Sequence, residues 1–206
     1  MVPSLSEDEI DDILYFSRAN ETADLEQFLA ELAGQKSCTK SELITAAVDE
    51  ESGNGALHYA CANGHIDIVQ AVLASFDDSN APSSAPQNGD SQVSNQSSPA
   101  MISYINTKNK SGNTALHWAS LNGHLPAVEI LLKRKADPTV LNAAGHDAVY
   151  EAELNDKGEV VDLLLKEGLG LDTAVKGDED ESDEEEEDAE GMEVDTDDAT
   201  NAASGS

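Results

Sequence analysis

Apolar residues recur along this chain in short bursts at helical spacing, set apart by Gly, Asn and Asp, and the bursts match one another. GNGALHYACANGHIDIVQAVL (Gly53–Leu73) and GNTALHWASLNGHLPAVEILL (Gly112–Leu132) are near-copies. A weaker copy is GHDAVYEAELNDKGEVVDLLL (Gly145–Leu165), and a degenerate one, ILYFSRANETADLEQFLAEL (Ile13–Leu32), shows mainly in its apolar spacing. Each copy predicts a tight turn and then two helices. Gly53 and Gly112 suit a turn that needs positive φ. Thr114 suits a helix N-cap, and Asn63-Gly64 and Asn122-Gly123 suit helix ends. The small residues Ala56, Ala60, Ala115 and Ala119 let neighbouring first helices approach closely. Ile68, Val69, Val72 and Leu73, then Val128, Ile130, Leu131 and Leu132, give each second helix a face to bury. Pro126 falls in the opening turn of its helix, where a missing N–H costs little.

Leu116 and Val149 lie 33 residues apart, the ankyrin period, and Leu57 and Leu116 lie 59 apart, one period plus 26 inserted residues. The expected fold is therefore an all-α repeat, an ankyrin-repeat solenoid of about four units built from β-hairpin fingers and helix pairs. No unit can bury its own apolar face, so stability comes from stacking and the terminal units are atypical. The expected divisions are 1–46 (degenerate N-terminal cap repeat), 47–76 (repeat), 77–100 (low-complexity insert), 101–138 (repeat), 139–172 (C-terminal repeat) and 173–206 (acidic disordered tail). In the insert 20 of 24 residues are Ser, Asn, Gln, Pro, Gly or Asp, which leaves little to form a core, although Met101–Ile105 is expected to re-enter order.

Charge narrows the choice of partners. Eleven Lys and Arg stand against 42 Asp and Glu, for a formal net charge of −31. Fifteen of the acids fall between Asp178 and Asp198, and residues 1–176 still carry 27 acids against 11 bases. Such a chain repels phosphate backbones and anionic lipid, so no direct nucleic-acid or membrane partner is expected and a basic protein is the natural complement. Ser182, within DEDESDEEEE, has the context that acidophilic kinases favour. The two cysteines, Cys38 and Cys61, have no paired spacing and read as reduced thiols, and a soluble monomer in cytoplasm and nucleus is expected.

The histidines invite a catalytic or metal reading, since His58 and His65 repeat the spacing of His117 and His124. Both pairs fall on matching repeat positions, which accounts for that spacing. The first of each pair is expected to bond backbone groups and join adjacent units. No nucleophile elbow, phosphate loop, zinc-protease or dinucleotide motif occurs, so no enzyme activity, cofactor or metal is expected. In an ankyrin stack the finger tips and first helices line a concave groove. By repeat position its candidate partner-binding residues are Glu50, Glu51, Ser52, Asn54, Tyr59 and Asn63 in the second unit. In the third they are Asn109, Lys110, Asn113, Trp118, Leu121 and Asn122, and in the fourth Asn142, His146, Glu151, Leu154 and Asn155. Tyr59 and Trp118 occupy equivalent places and have the character of anchors. Glu50 and Glu51 at one end and Glu151 and Glu153 at the other suit a clamp on a basic helix.

NKSGNTALHWASLNGHL (Asn109–Leu125) and ADPTVLNAAGHDAVYEAE (Ala136–Glu153) resemble the fungal ankyrin-repeat ribosome-assembly chaperones of the Yar type. TALHWAS is general to ankyrin repeats, and GHDAVYEAE is the more specific part. The resemblance covers about Gly53–Leu73 and Met101–Leu165, with a weaker echo at the N-terminus. It implies a dedicated chaperone of small-subunit ribosomal protein three, a basic protein with a KH domain, which is shielded when new, accompanied to the nucleus and released to pre-ribosomes. It also implies that the groove takes an N-terminal helix of that client, with Tyr59 and Trp118 as contacts. Two other readings stay open at this point: an ankyrin adaptor or inhibitor of a non-ribosomal client, and an acidic histone-type chaperone.

Overall fold

The computed structural model describes residues 3–77 and 98–168. The expected tail, Ser182 within it, and residues 78–97 of the insert lie outside the described residues. Among these, ten α-helices follow in order: α1 (Glu7–Ala19), α2 (Thr22–Lys36), α3 (Lys40–Ala46), α4 (Ala56–Asn63), α5 (Ile66–Asp77), α6 (Pro99–Ile105), α7 (Ala115–Asn122), α8 (Leu125–Lys133), α9 (Ala148–Leu154) and α10 (Gly158–Leu163). A π-helical turn, Leu164–Gly168, closes the set. No described helix is long and apolar enough to cross a membrane.

Two layers result. The first helices α1, α4, α7 and α9 each pack on the next, and α2, α5, α8 and α10 form the second layer behind them. Close approach in the first layer is possible because its buried positions are small: Ala56, Ala60, Ala115, Ala119, Ala148 and Ala152 are all at most 1% exposed. One apolar core runs through the stack from Ile13 on α1 to Leu164. No unit closes that core alone, as a repeat architecture requires.

The four units share a common helix stop. Asn20, Gly64, Gly123 and Asp156 all adopt positive φ. After each of them the next amide bonds back to the fifth residue before it: Glu21 to Phe16 O, His65 to Ala60 O, His124 to Ala119 O and Lys157 to Ala152 O, at 2.9–3.0 Å. This recurring bond sets the register of the units, including the degenerate first one.

The fingers depart from expectation. Among the described residues the hairpin strands reduce to one isolated antiparallel bridge, Val48 to Gly55. Each finger is instead a turn closed on a side chain. Asp49 accepts from the amides of Glu51 (2.8 Å) and Ser52 (2.7 Å), Asn109 from Ser111 and Asn113, and Asn142 from Ala144 and His146. Backbone groups left over pair with the neighbouring finger, Lys110 N–H to Ser52 O and Ala143 N–H to Ser111 O, both at 3.0 Å. Gly112 is required where fingers meet: its φ is +77°, and a Cβ there would stand 2.6 Å from the Ala143 nitrogen.

Two helices lie outside the expected repeat pairs. α3 starts at a reciprocal cap, with Thr39 accepting from the Glu42 amide and the Glu42 carboxylate accepting from the Thr39 amide. It buries Leu43 and Ile44 and packs on α2 and α5. α6 is capped by Ser98, buries Met101 and Ile105, and stacks Tyr104 on Phe76 at 4.8 Å. Helix therefore claims the margins of the insert, since α5 runs through Asp77 and α6 begins at Pro99. Arg134 pairs with Asp77 at 2.9 Å and holds that margin to the third unit.

Candidate protein-binding face

The register set by the helix stops aligns four side chains, one per unit: Tyr15, Tyr59, Trp118 and Glu151, each five residues before its positive-φ residue. Tyr15 is half exposed, while Tyr59 and Trp118 are partly buried. Three aromatic groups thus stand in a row along successive first helices. The repeat motif pointed to two of them. It missed Tyr15 because α1 carries none of the ALH signature, although the shared stop at Asn20 is a signal that could have found it.

The row is built into the stack. Tyr59 donates from its hydroxyl to Asp49 Oδ2 at 3.0 Å, and the Arg18 guanidinium lies 4.8 Å above its ring. That cation–π contact joins the first unit to the second. The Ser52 amide, ahead of the Tyr59 hydroxyl, holds the Asp49 carboxyl below its ordinary value, so this finger stays charged. Trp118 presents its ring, and its indole N–H is buried without a hydrogen-bond partner among the described residues. Leu121 is partly buried three residues on, and Asn63 and Asn122 are exposed at the ends of α4 and α7.

Other expected contacts have structural duties. The Asn54 side chain accepts from Asn109 Nδ2 at 2.8 Å, and that of Asn113 accepts from Asn142 Nδ2 at 2.9 Å, so these asparagines join one finger to the next. Lys110 donates to the Glu50 carbonyl, which leaves the exposed Glu50 and Glu51 side chains as the acids of that tip. Asn155 donates to the Glu151 carbonyl at 2.8 Å. Glu151 itself does not offer a clamp. Only 8% exposed, it accepts from Asn142 Nδ2 at 2.9 Å and pairs with His146 Nδ1 at 3.1 Å, because the aromatic position has become polar in the last unit and turns inward to fix its own finger.

The histidines join the units as their spacing suggests. His58 Nδ1 accepts from the Gly55 amide at 3.2 Å, and its Nε2–H donates to Asn113 O at 3.2 Å. His117 repeats this toward Thr114 and His146 O, at 3.2 and 3.1 Å. Burial lowers the pKa of both rings and so favours the neutral form that this pattern needs. His65 and His124 reach the other way, donating to Arg18 O at 2.9 Å and Ala62 O at 3.1 Å in the preceding units. Among the described residues no three His, Cys, Asp or Glu side chains converge as a metal site. Burial also raises the Cys38 and Cys61 thiols above their ordinary value, which disfavours reactive thiolate. One cavity of about 370 Å³ lies among α3, α5 and α6 and takes no residue from the first helices. The arrangement as a whole is a row of aromatic groups with exposed acids at one finger tip, suited to holding a protein segment.

Comparison with known proteins agrees with the fold. Profiles described as "Ankyrin repeats (3 copies)" and "Ankyrin repeat" match residues 85–176 and 52–83. The chain is 33% identical to the ankyrin repeat-containing protein YAR1 of Saccharomyces cerevisiae over 163 residues, covering 79% of this chain and 70% of that protein. Human NF-kappa-B inhibitor zeta matches at 27% identity over 58% of this chain but only 14% of its own length. Among solved structures, a chain in the crystal structure of the yeast ribosomal protein Rps3 in complex with its chaperone Yar1 superposes with a TM-score of 0.65 at 35% identity, covering 79% of this chain and 95% of that one.

Proposed function

We propose, since this chain belongs to the ankyrin-repeat family and within it stands with yeast YAR1, that it is a chaperone of the small-subunit ribosomal protein Rps3. The observation that carries this reading is the match in both sequence and fold over 79% of the chain to the chaperone whose solved complex contains that client. Physical chemistry agrees. A free ribosomal protein exposes basic surface meant for RNA, and a chain of net charge −31 attracts and covers it. The aromatic row supplies apolar anchorage at the centre, and the exposed finger acids Glu50 and Glu51 supply charge at its edge. The chaperone works by occupying surface, without a reaction or cofactor, and accompanies its client from cytoplasm to nucleus.

Within the proposed groove, Tyr59, Trp118, Leu121, Asn63 and Asn122 face the client's N-terminal helical segment, with Tyr15 added to them. Mixing the chain with recombinant Rps3 from the same organism should give an equimolar complex by size-exclusion chromatography and keep Rps3 soluble at low salt. Trp118→Ala should weaken that complex by about 2–4 kcal/mol, as truncation of a central aromatic anchor does, while leaving the fold intact. Absence of any complex, or stable capture of histones in its place, would overturn the reading.

A further inference from the structure

Ankyrin-type stacks keep their ends soluble by making the outermost faces polar. The fourth unit does so only in part. Of the five large hydrophobic side chains most exposed among the described residues, four lie in it: Leu141, Tyr150, Leu154 and Leu165. Tyr150 (46% exposed) and Leu154 (62%) stand one turn apart on α9, Leu154 at the groove position of Leu121 and Tyr150 beyond it, so the apolar surface runs from the groove onto the end of the stack. The direction of the Tyr150 side chain follows from register. Tyr150 occupies the place of His58 and His117, the third residue of its helix, and both those side chains reach forward to a carbonyl on the next finger. Tyr150 therefore points where a fifth unit would stack. Among the described residues the finger glycine of this unit is equally uncovered: a Cβ on Gly53 or Gly112 would strike the next finger at 2.8 or 2.6 Å, whereas one on Gly145 would meet none of them within 4 Å.

We infer that this open end face is a second docking surface for the client, taking a segment whose apolar residues are flanked by Lys or Arg. The inference rests on the chaperone reading above. Charge selects the occupant. Residues 147–168 carry seven acids and two lysines, and Glu153, Asp156, Glu159 and Asp162 of this unit are exposed, Glu153 on the same helix as Tyr150. The Lys157 stem lies back over Gly123, toward the third unit and away from the end. A second copy of this acidic chain would meet like charge here, whereas a basic protein meets its complement. Tyr150 is held ready for contact by its neighbour, the ring lying 4.1 Å from that of His146, whose Nδ1 is fixed on Glu151.

The test is the affinity of the full chain for recombinant Rps3, measured by titration calorimetry, for the parent, Tyr150→Ala, Glu153→Lys, Trp118→Ala and Tyr150→Ala combined with Trp118→Ala. Both end-face variants should bind at least about tenfold more weakly with unchanged thermal midpoints, because the substituted groups are exposed. The loss should add to that of Trp118→Ala, as for separate contacts, and the charge variant should also flatten the dependence on salt. Parent-like affinity in both end-face variants overturns the inference while the groove stands. A parent that does not bind Rps3 overturns the chaperone reading and this inference with it. Self-association of the parent that the apolar variant abolishes assigns the face to a second copy and overturns it too.

Discussion

In α4 and α7 the third residue is a buried histidine that reaches into the next finger, and in α9 it is Tyr150, with its ring half open to solvent. The same substitution of circumstance recurs down the unit. Cys61 and Ser120, each fully buried against a neighbour, become the exposed Glu153. The aromatic Tyr59 and Trp118 become the inward Glu151, and the glycine stops Gly64 and Gly123 become Asp156. An internal unit has both faces covered, so its polar groups must find partners on adjoining units, and it does so with neutral imidazole. The last unit has one face covered, and its polar groups turn back on themselves. What differs between the units is the neighbour, and the residues follow.

The sharpest way to break this comparison is to make one substitution at both places. His117→Ala removes the acceptor of the buried Thr114 amide and the donor to the half-buried His146 O. Leaving buried groups unsatisfied costs about 1–3 kcal/mol each, so a loss of roughly 3 kcal/mol is expected in urea unfolding. Tyr150→Ala, at the equivalent residue, should change stability by less than about 0.5 kcal/mol, since no stacked unit depends on it. Equal losses would mean that register does not govern these roles.

A second prediction sharpens the same contrast through pH. Burial holds the His58 and His117 rings below the ordinary histidine value of 6.5. Below about pH 6.5 the unfolded chain therefore binds protons that the folded chain refuses, and stability falls with pH until the folded rings protonate. Above that value the contribution is fully present. The urea midpoint should drop between pH 7.5 and 5.5, and His58→Gln with His117→Gln should flatten that slope. Tyr150→Phe should leave it untouched. A parent midpoint that is flat across this window would show that the two rings are not held neutral.

The helix pairs and the joining histidines were legible in the sequence because each depends on a local pattern that the repeats print twice. Tyr15 was not, since α1 shares the stop but none of the signature. α3 was missed for a related reason: Thr39 and Glu42 do form a capping signature, but it falls outside the 33-residue period that organised the reading. Glu151 shows the opposite error. Its repeat position is a groove position, yet a carboxylate beside Asn142 and His146 is better satisfied inward than in solvent. Periodicity assigns a place on the helix, and the partners within reach decide which way the side chain turns. The fingers teach the same lesson in the backbone, whose amides pair sideways with the next finger and leave little for a hairpin ladder.

The smallest effect expected concerns Asp156, which holds φ at +57° where the internal units use glycine. A residue with a Cβ is strained there by about 1 kcal/mol, and its carboxylate sits at the C-terminal end of α9, where the helix dipole disfavours negative charge by a few tenths of a kcal/mol. Glycine would relieve both, offset by the greater freedom it gives the unfolded chain, about 0.4–1 kcal/mol. Asp156→Gly should therefore stabilise the protein by about 0.5 kcal/mol, a rise of roughly 1–2 °C in thermal midpoint for a domain of this size. The reverse change in the third unit, Gly123→Asp, puts a side chain at φ +78° and displaces the Lys157 stem, which would lie 2.7 Å from the new Cβ. Its midpoint should fall. If Asp156→Gly also lowers the midpoint, the Asp156 carboxylate is holding the end face in place, and the contrast between covered and uncovered stops is less complete than their backbones indicate.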